Sequence, residues 1–218
     1  MRDEPEEMEM PMKIGRFIRA GTISDAWYRG LNLIWNNSET ITDERGSKIK
    51  ELLGLMIVIQ NPYMDQIPKD TAWNAERLEE YAKQLILGTE QDFVYTYGQR
   101  LRNWNGTDQI DFVIRKLKES PSSRRATCVT WMPSKDTKAE EVPCMVVLDF
   151  KLRGELNLTA VFRSHDFYGA AAANWYALAR LLEYVSQQVG VTPGKITSVS
   201  ISAHIYEYDW DDVSAIVG

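Results

Sequence analysis

The stretch from Val142 to Asn174 decides how the chain is organised; it contains VPCMVVLDF at residues 142–150 and FRSHDFYGAAAAN at residues 162–174. Cys144 opens an apolar run that predicts a buried strand. A second strand is predicted after a turn at Arg153–Gly154, because side chains alternate there between two faces, with Leu156, Leu158, Ala160 and Phe162 on one and Asn157, Thr159 and Val161 on the other. The two strands bring the thiol of Cys144 close to the guanidinium of Arg163.

A thiol beside a guanidinium is suited to nucleophilic chemistry. A thiolate attacks well only when the pKa of its thiol is lowered, and a cation such as Arg163 at the edge of an apolar pocket lowers it. A lone cysteine at the start of a strand is nevertheless more often an inert core residue. The other motifs of the chain decide between these two interpretations.

Composition restricts the class of protein. The chain has 218 residues, of which 44% are hydrophobic, so it can bury a substantial core in one domain. Its net charge of −6 argues against general nucleic-acid binding, which needs a basic face. Cys128 and Cys144 are too few for a disulfide framework, and two histidines make a zinc site unexpected, so we expect a cytoplasmic protein without a metal. No apolar run is long enough to predict a membrane span.

Several motifs resemble those of the thymidylate synthase family in order and spacing. Pro143-Cys144 is followed, nineteen positions after the cysteine, by Arg163-Ser164-His165-Asp166, and Asn174 lies eight positions after the aspartate. The remaining motifs are Tyr97-Gly98-Gln99-Arg100-Leu101 and Ser123-Arg124-Arg125 upstream, and His204-Ile205-Tyr206 thirty positions beyond Asn174. Because so many parts agree in order, the resemblance over residues 43 to 210 is specific.

The resemblance implies an α+β fold in which helices pack on a large mixed sheet and two such sheets stack across a homodimer. The chain is short for the family and most resembles its compact archaeal branch. Residues 1–12 carry five acidic residues and two prolines, so we expect them to form a mobile tail. We expect residues 13–218 to form a single catalytic domain.

The resemblance also implies a reaction, the reductive methylation of dUMP to dTMP with 5,10-methylenetetrahydrofolate as the source of carbon and hydride. Cys144 is the implied nucleophile toward C6 of the uracil, and Tyr97 is implied to assist removal of the C5 proton. Asp166 is implied to meet the pterin or to order the site. The residues implied to bind the phosphate are Arg45, Arg163 and Ser164, together with Arg124 and Arg125 of the neighbouring subunit. Asn174 is implied to bind the base, and His204 and Tyr206 are implied to bind the sugar.

Several points stay open at the level of sequence. Arg45 matches the family's phosphate-binding turn with a one-residue ambiguity, and a solvated loop arginine is an equal alternative.

The family pattern Glu-Leu-Leu-Trp-Phe-Leu-x-Gly contains a glutamate that relays protons. Before Gly88, Glu80 is the closest match by its distance from the glycine, while Glu79 flanks the apolar face of the predicted helix. The carbon carrier is tetrahydrofolate or a modified pterin. The alternative functions are a pyrimidine-nucleotide hydroxymethylase and a non-catalytic nucleotide-binding or RNA-binding homologue.

Three further expectations concern local structure. In the last strand, alternation predicts that Val199, Ile201, Ala203 and Ile205 share one face, opposite Ser198, Ser200, Ser202, His204 and Tyr206. The segment from Ser134 to Glu141 has five charges and predicts a surface loop. Asn174, if it does not bind the base, is expected to cap the helix that follows it.

Overall fold

The structure, a computed structural model, describes residues 14–88 and 96–218, so the predicted acidic tail lies outside the described residues. The strands are β1 Arg16–Ala20, β2 Glu39–Thr42, β3 Lys48–Ile59, β4 Thr127–Val129, β5 Met145–Arg153, β6 Glu155–Phe162, β7 His165–Asp166 and β8 Pro193–Tyr206. The helices are α1 Ile23–Asn37, α2 Ala75–Leu87, α3 Tyr97–Arg102, α4 Gln109–Glu119, α5 Pro133–Asp136, α6 Ala171–Val189 and α7 Trp210–Val217.

The strands form one mixed sheet in the order β1-β3-β8-β6-β5-β4, with β2 paired to β3 and β7 paired to β8. The β3–β8 and β5–β6 pairs are antiparallel, whereas the β1–β3 and β6–β8 pairs are parallel. Helices pack on this large mixed sheet, which confirms the predicted fold class. Within the described residues, no helix has the length and apolar content to cross a bilayer.

Short polar side chains cap the N-termini of three helices. Thr22, Asn74 and Asp108 accept hydrogen bonds from the backbone N–H groups three residues later, so they cap α1, α2 and α4. Gly88 ends α2 in the left-handed conformation with φ 68°.

The helix-covered face of the sheet carries the apolar core. Trp27 of α1 and Trp175 of α6 are fully buried, and the indole N–H of Trp27 donates to the carbonyl of Phe167 at 2.8 Å. Helix α1 approaches closely because Gly30 has no side chain; a Cβ there would lie 2.2 Å from Cε1 of Phe167. This packing fixes the loop between β7 and α6.

The opposite face carries a row of apolar residues that crosses six strands. Neighbours in the row are paired in register, and its members in order are Phe17, Met56, Val199, Val161, Val147 and Val129. Phe17, Met56 and Val129 are 55%, 40% and 41% exposed. In a single chain this face is therefore an open apolar surface.

The predicted alternation along β8 is wrong at its centre. Ile201 is 52% exposed, although Ala203 is fully buried, and Ser198 and Ser200 are buried instead. The cause lies in the partner strand β3. Its residues Leu53 and Leu55 pair with Ser202 and Ser200, and Gly54 between them has a left-handed backbone with φ 72°. At this position the alternation between buried and exposed side chains shifts by one residue in both strands. Before it the even-numbered residues of β8, such as Ser198 and Ser200, face the helices, and after it Ala203 and Ile205 do.

The prediction of a surface loop from Ser134 to Glu141 is also wrong in part. Residues Pro133–Asp136 form α5, and Asp136 is only 2% exposed. Its carboxylate accepts two hydrogen bonds from the guanidinium of Arg100, at 2.8 and 2.9 Å. The Asp136 carboxylate, which the sequence predicts at the surface, can be buried because the buried guanidinium of Arg100 binds it.

Candidate active site

A cavity of about 450 Å³ lies between the turn that joins β2 to β3, the ends of β3 and β8, and the residues just before β5 and just after β6. Its volume is in the range of about 300–1,000 Å³ that small-molecule sites occupy. Six of the predicted site residues line it, namely Arg45, Cys144, Arg163, Ser164, His204 and Tyr206. Six further polar residues line the cavity without having been predicted as site residues, namely Thr42, Asp43, Glu44, Glu51, Glu141 and Ser202. Ser202 had a signal in the sequence, as a member of the predicted polar face of β8.

Arg163 is held against the segment that carries the thiol. Cys144 directly precedes β5, and Arg163 directly follows β6. The Arg163 backbone N–H donates to the Cys144 carbonyl at 2.8 Å, and its Nη2 lies 3.9 Å from the Cys144 Sγ. The same guanidinium donates to the carbonyls of Pro143 and Val142 at 2.9 and 3.0 Å. The cation is therefore fixed next to the sulfur.

The pKa of Cys144 is nevertheless raised, so the expected lowering does not hold for the free chain. Burial raises it, Arg163 opposes that rise, and the carboxylates of Glu141 and Asp166 add to it. Cys128 is more deeply buried, and burial raises the pKa of that thiol to about 12. Cys144 thus lines the cavity beside a cation, whereas Cys128 is buried in the core.

Arg45 lines the cavity and is paired there with Glu141. The Arg45 Nη2 lies 2.9 Å from Oε1 of Glu141, and both side chains are more than half exposed. Asp43 shapes the turn by accepting from the backbone N–H groups of Arg45 and Ser47 at 2.9 and 2.8 Å. The arginine thus faces the cavity with a carboxylate in contact.

His204 and Tyr206 present the polar side of the end of β8 to the cavity. Their rings meet edge to face with centroids 4.9 Å apart. Ser202 donates to Glu51 of β3 at 2.5 Å on the same side. Burial lowers the pKa of His204, and Asp166, which pairs with it in register, opposes this effect. Ring N–H, phenol and hydroxyl groups of this kind suit the hydroxyls of a sugar.

Asp166 does not line the cavity. Its carboxylate accepts from the backbone N–H of Gly169 at 3.0 Å, and burial raises its pKa. A Cβ on Gly169 would lie 2.4 Å from the Asp166 carboxylate, so the glycine lets the loop close over it. The Asp166 carboxylate thus contacts the loop that precedes α6, while its backbone pairs in register with His204.

Tyr97 is the first residue of α3, and its hydroxyl accepts from the backbone N–H of Met145 at 3.1 Å. This contact brings the phenol within one residue of Cys144. Helix α3 is anchored by Arg100, which also donates to the carbonyl of Thr130 at 3.0 Å. The Arg100–Asp136 pair thus supports the position of Tyr97.

Asn174 lies in the first turns of α6 and does not line the cavity. Ala170 occupies the N-cap position, so the helix-cap alternative for Asn174 is wrong. Its Oδ1 accepts from the hydroxyl of Tyr81 at 2.8 Å, and its Nδ2 lies 3.4 Å from Nε2 of His165. His165 directly follows the cavity residue Ser164 in the chain.

The sequence model of the thymidylate synthase family matches residues 44–217. The chain belongs to this family. It is 68% identical over 213 residues to a protein of Methanosarcina mazei, with 96% of this chain and 98% of the relative covered. It is 67% identical to a protein of Methanosarcina acetivorans at the same coverage, and 41% identical over 216 residues to one of Methanothermobacter thermautotrophicus, with 92% and 97% covered. All three carry the name "Putative thymidylate synthase".

The thymidylate synthase family pattern has its glutamate seven residues before a glycine, and Tyr81 stands at that distance from Gly88. Neither candidate glutamate lines the cavity. Glu79 accepts from the Tyr176 hydroxyl and pairs with Arg180 at 3.3 Å, while Glu80 is exposed. The residue of α2 that contacts Asn174 is Tyr81.

Arg124 and Arg125 lie far from the cavity of their own chain. Both are exposed in the loop before β4. Thr127 of β4 pairs with Asp149 of β5. Asp149 lies five residues after Cys144 along β5, which at about 3.3 Å per residue places Asp149 and Thr127 about 17 Å along the strand from the cysteine. Arg125 lies beyond Thr127 in the same direction. Among residues 14–88 and 96–218, no cluster of three or more His, Cys, Asp or Glu side chains could hold a metal ion.

Proposed function

We propose that the protein is a thymidylate synthase that converts dUMP to dTMP by reductive methylation, with Cys144 as the covalent nucleophile. The observation that carries this proposal is the shared cavity of Cys144, Arg163, His204 and Tyr206. A nucleophile, a cation for phosphate and polar groups for a sugar are the parts that a deoxynucleotide requires. The family uses a donor of the methylenetetrahydrofolate type, which supplies the one-carbon unit and the hydride.

The chemistry of the chain centres on Cys144. Its thiolate adds to C6 of the uracil, and the electron pair of the C5–C6 double bond then makes C5 a carbon nucleophile. After C5 has taken up the one-carbon unit, its proton is removed with the help of Tyr97 and the C–N bond to the carrier breaks, which leaves a methylene group on C5. Hydride from the donor reduces this methylene to a methyl group, and the sulfur leaves C6 as the thiolate. Since the pKa of Cys144 is raised in the free chain, the thiolate has to be favoured by Arg163.

Binding of the phosphate is proposed for the cationic end of the cavity. Arg163 and Ser164 stand beside the nucleophile, and Arg45 enters from the β2–β3 turn. Because Glu141 contacts Arg45, a phosphate has to replace this carboxylate as the partner of the arginine. Asn174 is proposed to bind the base, and Asp166 to order His204 and the loop before α6.

We also propose a homodimer in which the open faces of two sheets stack. The apolar row from Phe17 to Val129 supports this arrangement, since an exposed apolar surface of this extent is unusual for a monomer. The position of Arg124 and Arg125 supports it as well, because two arginines too far from their own cavity are free to serve the neighbouring one. The reducing cytoplasm is the proposed location, where Cys144 stays a free thiol.

The test is the identity of the product. The protein is incubated with dUMP and 5,10-methylenetetrahydrofolate, or with a methylene-carrying modified pterin, and the nucleotide is identified by mass spectrometry. We expect dTMP from the wild type and unchanged dUMP from Cys144→Ala. A hydroxymethyl product would assign the hydroxymethylase reaction, and unchanged dUMP with both carriers would contradict the proposal.

A further inference from the structure

We propose that Tyr81 is a positioning residue that holds the Asn174 carboxamide and thereby sets the choice between uracil and cytosine. The inference rests on the proposed function, because it takes Asn174 as the residue that binds the base. Sequence spacing did not assign Tyr81 a role, and the glutamates beside it point elsewhere.

Tyr81 is itself held in place on the surface of α2 that faces α6. Its hydroxyl donates to Oδ1 of Asn174 at 2.8 Å. Its ring lies against Trp73, with centroids 5.8 Å apart, and the indole N–H of Trp73 donates to the Gly169 carbonyl at 2.7 Å. The ring of Tyr81 therefore packs on an indole that is hydrogen-bonded to the loop from which α6 starts.

His165 contacts the other end of the carboxamide. Its Nε2 lies 3.4 Å from Nδ2 of Asn174, and its Nδ1 lies 2.8 Å from Oγ of Ser200. The ring is fully buried and stacks on Phe162 with centroids 3.8 Å apart. Burial lowers the pKa of His165 to about 3, so the ring is neutral at pH 7 and has one donor and one acceptor nitrogen. With Nε2 accepting from Asn174, Nδ1 carries the proton and donates to Ser200.

These contacts couple four side chains in one orientation. If the carboxamide turned over, the Tyr81 hydroxyl would have to stop donating, His165 would have to change tautomer, and Ser200 would have to reverse its bond. All three changes must occur together in a mostly buried setting, where an unmatched polar group is costly. The Tyr81 hydroxyl contacts the oxygen end of the carboxamide.

The fixed orientation has a consequence for base choice. Among residues 14–88 and 96–218, the second N–H and the second lone pair of the Asn174 carboxamide have no partner, and they match O4 and N3–H of uracil. Cytosine has a donor at N4 and an acceptor at N3, so it matches only the reversed carboxamide. Removing the Tyr81 hydroxyl should ease the reversal and reduce the preference for dUMP over dCMP.

The experiment compares Tyr81→Phe with Tyr176→Phe by calorimetric titration with dUMP and dCMP. Tyr176 is a matched control, because its hydroxyl also links α2 and α6. It lies on α6 and donates to Glu79 of α2, whereas Tyr81 lies on α2 and donates to Asn174 of α6. We expect the wild type and Tyr176→Phe to prefer dUMP equally, and Tyr81→Phe to lose about tenfold of that preference. An unchanged ratio of dissociation constants in Tyr81→Phe, or an equal loss in both variants, would overturn the inference.

A second background separates positioning from a general effect on folding. The double variant Asn174→Ala/Tyr81→Phe should have the same ratio of dissociation constants for dUMP and dCMP as Asn174→Ala alone, because Tyr81 acts through Asn174. A further change in the ratio would show that Tyr81 acts independently and would overturn the inference. A wild type that binds neither nucleotide would instead overturn the proposed function, and the inference with it.

Discussion

Nη2 of Arg163 lies 3.9 Å from Sγ of Cys144, and the backbone N–H of the arginine donates to the carbonyl of the cysteine. The register of β5 and β6 thus fixes a cation beside the sulfur. Burial and two carboxylates raise the pKa of the thiol, so Arg163 is the main group that keeps the thiolate accessible. The balance between these effects can be measured directly.

The first prediction concerns the pH dependence of Cys144. Removing the cation with Arg163→Gln should raise the pKa of the thiol further, so the midpoint of its alkylation by iodoacetamide should move to higher pH and the rate at pH 8 should fall several-fold. Peptide mass spectrometry follows each cysteine separately. Cys128, with a pKa of about 12, should stay unreactive throughout, and Arg153→Gln is a control for loss of a remote arginine. An unchanged or lowered midpoint would contradict the account.

The second prediction concerns the ion pair of Arg45 and Glu141. Glu141→Gln leaves the arginine without its carboxylate partner and removes a negative charge that raises the pKa of Cys144. We expect the KM for dUMP to fall, by at most about fivefold because an exposed pair is weak. Glu207→Gln, which breaks the exposed pair with Lys48, is the matched control and should leave KM unchanged. A higher KM in Glu141→Gln would show that the carboxylate assists binding.

The third prediction concerns the dimer. Cys144→Ala and the double variant Arg124→Ala/Arg125→Ala should each be inactive, while a re-equilibrated equal mixture should recover about a quarter of wild-type activity. Half of the dimers are then mixed, and one of their two sites has both an intact cysteine and intact arginines. Mixed dimers that form, as shown by differently tagged subunits, but stay inactive would contradict a shared site.

The fourth prediction concerns the support of Tyr97. Asp136→Ala leaves the buried guanidinium of Arg100 without its carboxylate, and we expect the free energy of unfolding to fall by about 3 kcal/mol. Asp111→Ala removes an exposed partner of Arg115 and should change it by less than about 0.5 kcal/mol. Urea denaturation gives both values. Equal stability of the two variants would show that the buried pair does not anchor α3.

Much of the fold could be predicted because its signals are local. Thr22, Asn74 and Asp108 mark helix starts through their own side chains, and the alternation along β6 reflects the pleat of a single strand. The phase change in β8 could not be predicted, because its cause is Gly54 on another strand. The burial of Asp136 likewise depends on Arg100, which is distant in sequence.

The site divides in the same way. Cys144 and Arg163 could be brought together from sequence, because two neighbouring strands and one turn fix their distance. The Arg45–Glu141 pair, the link from Tyr81 to Asn174 and the distance of Arg124 from its own cavity depend on how separate elements pack. No spacing rule along one chain encodes those relationships.

The covalent bond between Cys144 and C6 of the nucleotide is the central claim, and 5-fluoro-dUMP tests it most directly. Its C5 fluorine cannot leave as the C5 proton does, so the reaction should stop with nucleotide and donor attached to the sulfur. Intact-mass measurement should show this added mass on the wild type and on Cys128→Ala, and no added mass on Cys144→Ala. An unshifted wild type, or an equal shift on Cys144→Ala, would contradict the account.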